Sequence, residues 1–162
     1  MQINLEREAL LYDIANYAYV EGDIMATDNL HAQHQTQDII AKGNIERVNR
    51  VLSLSHAECI EMLYPYSKKP LRSDYYLDNS DLAPDYYDIE VEFPKGFSST
   101  TADLLVRLVH EYMVCRVVAD WMSITNPSSH ETWQRKVEDS GNKIRNSLTN
   151  RRSPILRKLR PF

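Results

Sequence analysis

The chain has 162 residues, 43% of them hydrophobic and 26% charged, with a formal net charge of −4. This is the length of one domain with a sizeable core and the composition of an ordinary soluble globular protein, which excludes wholesale disorder. The charge is unevenly placed: residues 1–100 carry 8 Lys/Arg against 17 Asp/Glu, a net of −9, and residues 101–162 carry 11 against 6, a net of +5. Such a division suits head-to-tail self-assembly or docking on another acidic surface.

Taken in order, the apolar positions Leu10, Leu11, Ile14, Ala15 and Ala18 predict a first helix over about 5–20. The opening residues, Met1-Gln2-Ile3-Asn4-Leu5-Glu6, lack the basic and apolar regions of a signal peptide, so a cytoplasmic protein is expected. A polar, His/Gln-rich helix is predicted over about 28–42, with Gly43 placed to stop it. Asn44 then offers an N-cap to a long helix over about 44–63, with Ile45, Val48, Leu52, Cys59, Ile60 and Leu63 on its core face.

Four of the seven prolines (Pro65, Pro70, Pro84, Pro94) fall between residues 64 and 97, where no long helix persists. Tyr75-Tyr76-Leu77 and residues 86–93 are short β-like runs. The second alternates with period two, placing Tyr87, Ile89, Val91 and Phe93 on one side and Asp88, Glu90 and Glu92 on the other. A two-stranded hairpin or an extended arm over about 65–97 is expected, leaning on the helices or on a partner. Tyr75, Tyr76, Tyr86 and Tyr87 are its candidate contact residues.

Thr100-x-x-Asp103 resembles a capping box opening the main core helix, about 100–124, which is apolar around most of its circumference. Arg107, His110, Glu111, Arg116 and Asp120 interrupt this segment, so it does not read as a membrane span. Ser128-x-x-Glu131 predicts a last helix to about 150, with Trp133, Val137, Ile144 and Leu148 buried. The fold class expected is therefore mainly α: a bundle of four to five helices with a small hairpin or arm between the long ones. Residues 1–150 form one domain and residues 151–162 a tail.

No catalytic, cofactor or metal residues are assigned. His31, His34 and Asp38 share a helical side, and Asp28-x-x-His31 is half of a di-iron pair, but no second acid-x-x-His accompanies it. His110-Glu111 begins like a zinc-protease motif, yet position 114 is Val. His56-x-x-Cys59 supplies two ligands where a structural zinc needs four. Cys59 and Cys115 read as small buried hydrophobes of a reducing compartment, and Gly22, Gly43, Gly96 and Gly141 are too scattered for a phosphate loop.

The tail is the feature that stands out. Arg151, Arg152, Arg157, Lys158 and Arg160 are interleaved with Ile155, Leu156, Leu159 and Phe162, and no acid occurs after Asp139. It reads either as a solvated extension or as a segment that binds a partner. A protein partner fits better than nucleic acid, because the chain is acidic as a whole and shows no recognition module.

Two stretches carry a family resemblance. Gly43-Asn44-Ile45-Glu46-Arg47-Val48, continued by Ala57-Glu58-Cys59-Ile60-Glu61-Met62-Leu63-Tyr64-Pro65-Tyr66 and closed by Pro70-Leu71, has a long helix ending in an Ala-Glu-apolar pattern, an aromatic and a proline-bearing turn. Asp103-Leu104-Leu105, running on to Trp121, is followed by a break at Pro127 and by Trp133-Gln134-Arg135-Lys136, running on to Leu148: an apolar helix and then a charged one. Together they resemble the small helical head–tail connector and tail-completion proteins of tailed bacteriophages and prophages. The Tyr/Asp-rich middle and the basic apolar tail depart from that pattern. The resemblance implies a non-enzymatic structural protein, assembled as a ring-like homo-oligomer in the virion neck beside portal or tail components, with no catalytic residues to transfer. The alternative is a free-standing cytoplasmic adaptor or regulatory module that binds a protein through its tail.

Overall fold

In the computed structural model, residues 1–67 and 83–149 are described. The elements are β1 (Gln2–Glu6), α1 (Arg7–Asp23), α2 (Leu30–Gln37), α3 (Ile45–Met62), β2 (Tyr86–Glu90), α4 (Ser99–Thr125) and α5 (Pro127–Ser147). Among the described residues the chain is thus a mainly helical bundle of five helices with a small antiparallel sheet, as its pattern leads one to expect.

The sheet differs from expectation in its partner. β2 pairs antiparallel with β1, Ile3 opposite Ile89 and Leu5 opposite Tyr87. The sequence pattern starts a helix at about residue 5 and gives residues 2–4 no element, but the alternation over Gln2–Glu6 buries Ile3 and Leu5 and exposes Gln2, Asn4 and Glu6. The Met1 ammonium donates to the Val91 carbonyl at 2.7 Å, and the Val91 amide donates back to the Met1 carbonyl at 2.8 Å. At the other end the Arg7 amide donates to the Asp85 carbonyl, so the ladder runs directly into α1. The two-sided reading of β2 holds: Tyr87, Ile89 and Val91 are buried. The other expected run, Tyr75 to Leu77, lies outside the described residues.

α1 buries Leu10, Ile14, Ala18 and Gly22, one residue per turn, leaving Leu11 and Ala15 half-buried. Gly22 is where α1 touches α2: a Cβ there would stand 2.9 Å from the Gln33 backbone oxygen. α2 is shorter than its polar pattern suggests. Asn29 caps it, its Oδ1 accepting from the His31 amide at 3.0 Å, and it stops at Gln37 so that Ile39 can turn into the core. Successive turns carry the chain over Gly43 to α3. There the Asn44 side chain, rather than capping α3, donates to the Asp38 carbonyl at 2.8 Å and ties down the loop.

α4 is the central rod, 27 residues and so about 40 Å long, lying against α1, α2, α3 and α5. Its cap is Ser98, two residues before the expected Thr100. Ahead of it, Phe93 stacks on Phe97 at 4.1 Å and both rings meet Tyr66, anchoring the strand-to-helix connection to the end of α3. Asn126 separates α4 from α5, with Pro127 at the first helical position, one residue before the expected Ser128. α5 buries Trp133, Val137 and Ile144 as predicted, with Leu148 just beyond it.

The helices are cross-linked by aromatic donors. Trp121 Nε1 donates to the buried Thr36 carbonyl of α2 at 2.8 Å. Trp133 Nε1 of α5 donates to Glu21 of α1 at 3.0 Å, with the Lys136 ammonium over the same indole at 3.8 Å. Among the described residues, no helix is long and apolar enough to cross a membrane.

Candidate interaction surface

Of the residues singled out from the sequence, Arg151, Arg152, Ile155, Leu156, Arg157, Lys158, Leu159, Arg160 and Phe162 lie outside the described residues, as do Tyr75 and Tyr76. The two described tyrosines part company. Tyr86 is half exposed and remains on the surface, whereas Tyr87 is buried, its ring 5.3 Å from that of His56. Tyr87 belongs to the core and has no face to offer a partner.

A concavity lies among the described residues where α3, α4 and α5 meet. α3 brings Glu58, Glu61 and Met62 to one side, the following turn adds Tyr64 and Pro65, and Tyr112 of α4 and Arg145 of α5 complete an open trough of about 860 Å³. A smaller hollow of about 320 Å³ continues it along α5 past Arg116, Glu138 and Gly141, sharing Glu58, Tyr112 and Arg145. Its floor is fixed by a three-residue contact. Tyr112 Oη donates to Glu58 Oε2 at 2.8 Å, and Arg116 Nε lies 3.4 Å from the same oxygen. Burial, reinforced by the Glu58 carboxylate, pushes the Tyr112 hydroxyl above its usual range, so it stays a donor. Gly141 of α5 faces this floor, its Cβ position in ordinary contact range 3.4 Å from the Tyr112 ring and 3.8 Å from Met62 Sδ.

Around this floor Glu61, Tyr64 and Pro65 are exposed, Tyr64 at 72%. The turn bearing them is joined to the end of α5 by Tyr66 Oη donating to the Leu148 carbonyl at 3.0 Å. Thr149, the last described residue, therefore lies close to the turn that bears Tyr64 and Pro65.

A second polar seam runs between α1 and α4. Tyr17 Oη donates to Glu111 at 3.0 Å, Cys115 Sγ contacts the same carboxylate at 3.4 Å, and His110 Nε2 meets Asp13 at 2.7 Å. Burial and the Glu111 charge push the Cys115 thiol up to about 12, and burial raises that of Cys59 further. Burial thus disfavours the thiolate form of both cysteines, and the seam joins α1 to α4. His31 and His34 are exposed on α2, and among the described residues no group of three or more His, Cys, Asp and Glu is arranged to hold a metal ion.

The apolar pattern of α3 leaves Glu58 and Glu61 off its core face, and nothing in the linear sequence joins them to Tyr112 and Arg145. The one linear trace is the spacing of the two acids, three residues apart on one helical side beside an aromatic-proline turn. No family model, curated protein or solved structure matches this chain.

Proposed function

We propose that this chain is a non-enzymatic structural protein of a phage or prophage, oligomerising in the head–tail connector of the virion. Its partners are further copies of itself and neighbouring portal or tail components. The observation that carries the reading is the division of charge: an acidic first hundred residues and a basic, apolar end on one small chain. Stretches of opposite sign on one chain attract their counterparts on another copy. The helical body supports this role. A central rod braced by four helices is a rigid block, and large apolar side chains stay on its surface, including Tyr12, Tyr19, Ile24 and Leu30, which are 60–73% exposed. The family resemblance supplies the setting, a ring between portal and tail.

The test is made on the purified full-length chain and on the particle. At low ionic strength, light scattering should show oligomers that dissociate as salt is raised, because exposed ion pairs are screened. Particles released on induction of the host prophage should contain the chain in fixed ratio to the portal protein. A monomer at every concentration and salt, or absence from the particles, would overturn the proposal. Absence from particles combined with salt-sensitive binding to a host protein through the tail would instead establish the adaptor role.

A further inference from the structure

We infer that the outer face of α1 is the surface that receives residues 151–162, and rest on the assembly reading above for their source, a neighbouring copy. Between Arg7 and Lys42 the chain has six acids and no Lys or Arg, and all of α1 after its first residue lies in that stretch. Helical spacing brings Glu8, Tyr12, Asn16, Tyr19, Val20 and Asp23 to one side, and all six are exposed. The stripe is about 22 Å long at the usual helical rise. It points away from the bundle, since Leu10, Ile14 and Ala18 are buried and Asp13 and Tyr17 meet α4.

The face and the segment are complementary in charge and in apolar surface. Tyr12 is 73% exposed and Tyr19 60%, each a broad apolar ring with a polar tip, the kind of side chain that anchors interfaces. Val20 lies beside them, and exposed Ile24 follows just past the end of α1. Glu8 and Asp23 stand at the two ends of the stripe, and among the described residues neither is in an ion pair. Glu58 of the trough differs, because Tyr112 and Arg116 already hold it. No cation of α1 or α4 answers the stripe. Arg7 lies 3.9 Å from Asp85, Arg116 is beside Glu58, and Arg107 shares a helical side with His110 and Glu111, which meet Asp13 and Tyr17 away from it. Residues 151–162 bring five Lys/Arg, four large apolar side chains and no acid. Guanidinium groups pair with the carboxylates and stack on the tyrosine rings, and the apolar side chains cover what remains. Residues 68–82 match less well, because Asp74, Asp78 and Asp81 offset Lys68, Lys69 and Arg72. A second α1 face is a worse occupant still, since acid would meet acid. With one such face and one such segment per copy the contact is heterologous, so it propagates around a ring or along a filament.

The experiment uses the full chain with the photo-crosslinking amino acid p-benzoylphenylalanine in place of Leu159, irradiated at low ionic strength. Covalent dimers should form in which position 159 is joined to α1 between Glu8 and Ile24, located by mass spectrometry of the digest. Tyr12→Ala, Tyr19→Ala and Asp23→Lys combined, all at exposed positions, should lower the yield of that product about tenfold or more with helical circular dichroism unchanged. Lysine is favoured at a helix C-terminus, so Asp23→Lys alone keeps α1 intact and should lower the yield in the same direction. An excess of free peptide 151–162 should compete the product away. Position 159 joined to the same α1 residues within single chains would uphold the receptor and overturn the neighbouring copy as its source. Dimers joined at other surfaces, or α1 variants that crosslink like wild type, would overturn the receptor and leave assembly standing. A chain that stays monomeric and gives no product would overturn both.

Discussion

Gly22 shows how one position fixes the approach of two helices. Alanine normally gains about 0.5–1 kcal/mol over glycine inside a helix. Here the added methyl meets the Gln33 backbone oxygen at 2.9 Å, which a side-chain rotation cannot relieve. Gly22→Ala should therefore destabilise the protein by about 1–2 kcal/mol net, as overpacking does, and lower its midpoint in urea. His56 makes a second prediction. Burial lowers its pKa, with the Asp88 carbonyl contact acting in the opposite direction. The unfolded imidazole, near 6.5, then binds protons that the folded one resists, so stability falls as pH drops below about 6.5 and levels off below the folded value. The difference in urea midpoint between wild type and His56→Gln, followed from pH 7.5 to 5, should change with that sign; a constant difference would remove His56 from the pH response.

At the scale of elements, the sheet depends on two residues of a five-residue strand. Ile3 and Leu5 are the buried members of β1, and their neighbours on β2 are Ile89 and Tyr87. Leu5→Ala should cost about 2–5 kcal/mol, measured by thermal or denaturant unfolding, with helical circular dichroism retained below the transition. The long helices were legible because repeated apolar spacing marks them: Leu10, Ile14 and Ala18 in α1, and Trp133, Val137 and Ile144 in α5. β1 was not, because two apolar residues beside a helical pattern give no period of their own, and the partner that makes them a strand lies more than eighty residues away. α2 failed for the opposite reason. Nothing in residues 38–42, Asp-Ile-Ile-Ala-Lys, breaks a helix before Gly43, and it is the burial of Ile39 in the tertiary structure that accompanies its end at Gln37.

For the molecule as a whole, the tail was legible as composition and the trough was not. Basic and apolar residues crowded into twelve positions can be seen in a string of letters, whereas Glu58, Tyr112 and Arg145 are brought together only by the packing of three helices. The described residues carry a core of their own up to Leu148, which is buried with its carbonyl bonded to Tyr66. Deleting residues 151–162 should accordingly shift the melting temperature by less than about 2 °C, under about 1 kcal/mol for a chain of this size. A larger fall would make the tail part of the fold rather than an instrument of assembly.

The pairing of β1 with β2 also bears on how the chain is made. Ile3 and Leu5 leave the ribosome some eighty residues ahead of Tyr87 and Ile89. At roughly 5–20 residues per second, these apolar side chains wait about 4–17 s before their partners exist. The first half of the protein therefore cannot complete its fold as it emerges. Until Tyr86–Glu90 has been synthesised, two hydrophobic residues and an unpaired strand edge stand open to other chains, and crowded polysomes are where this protein is most exposed to misassembly.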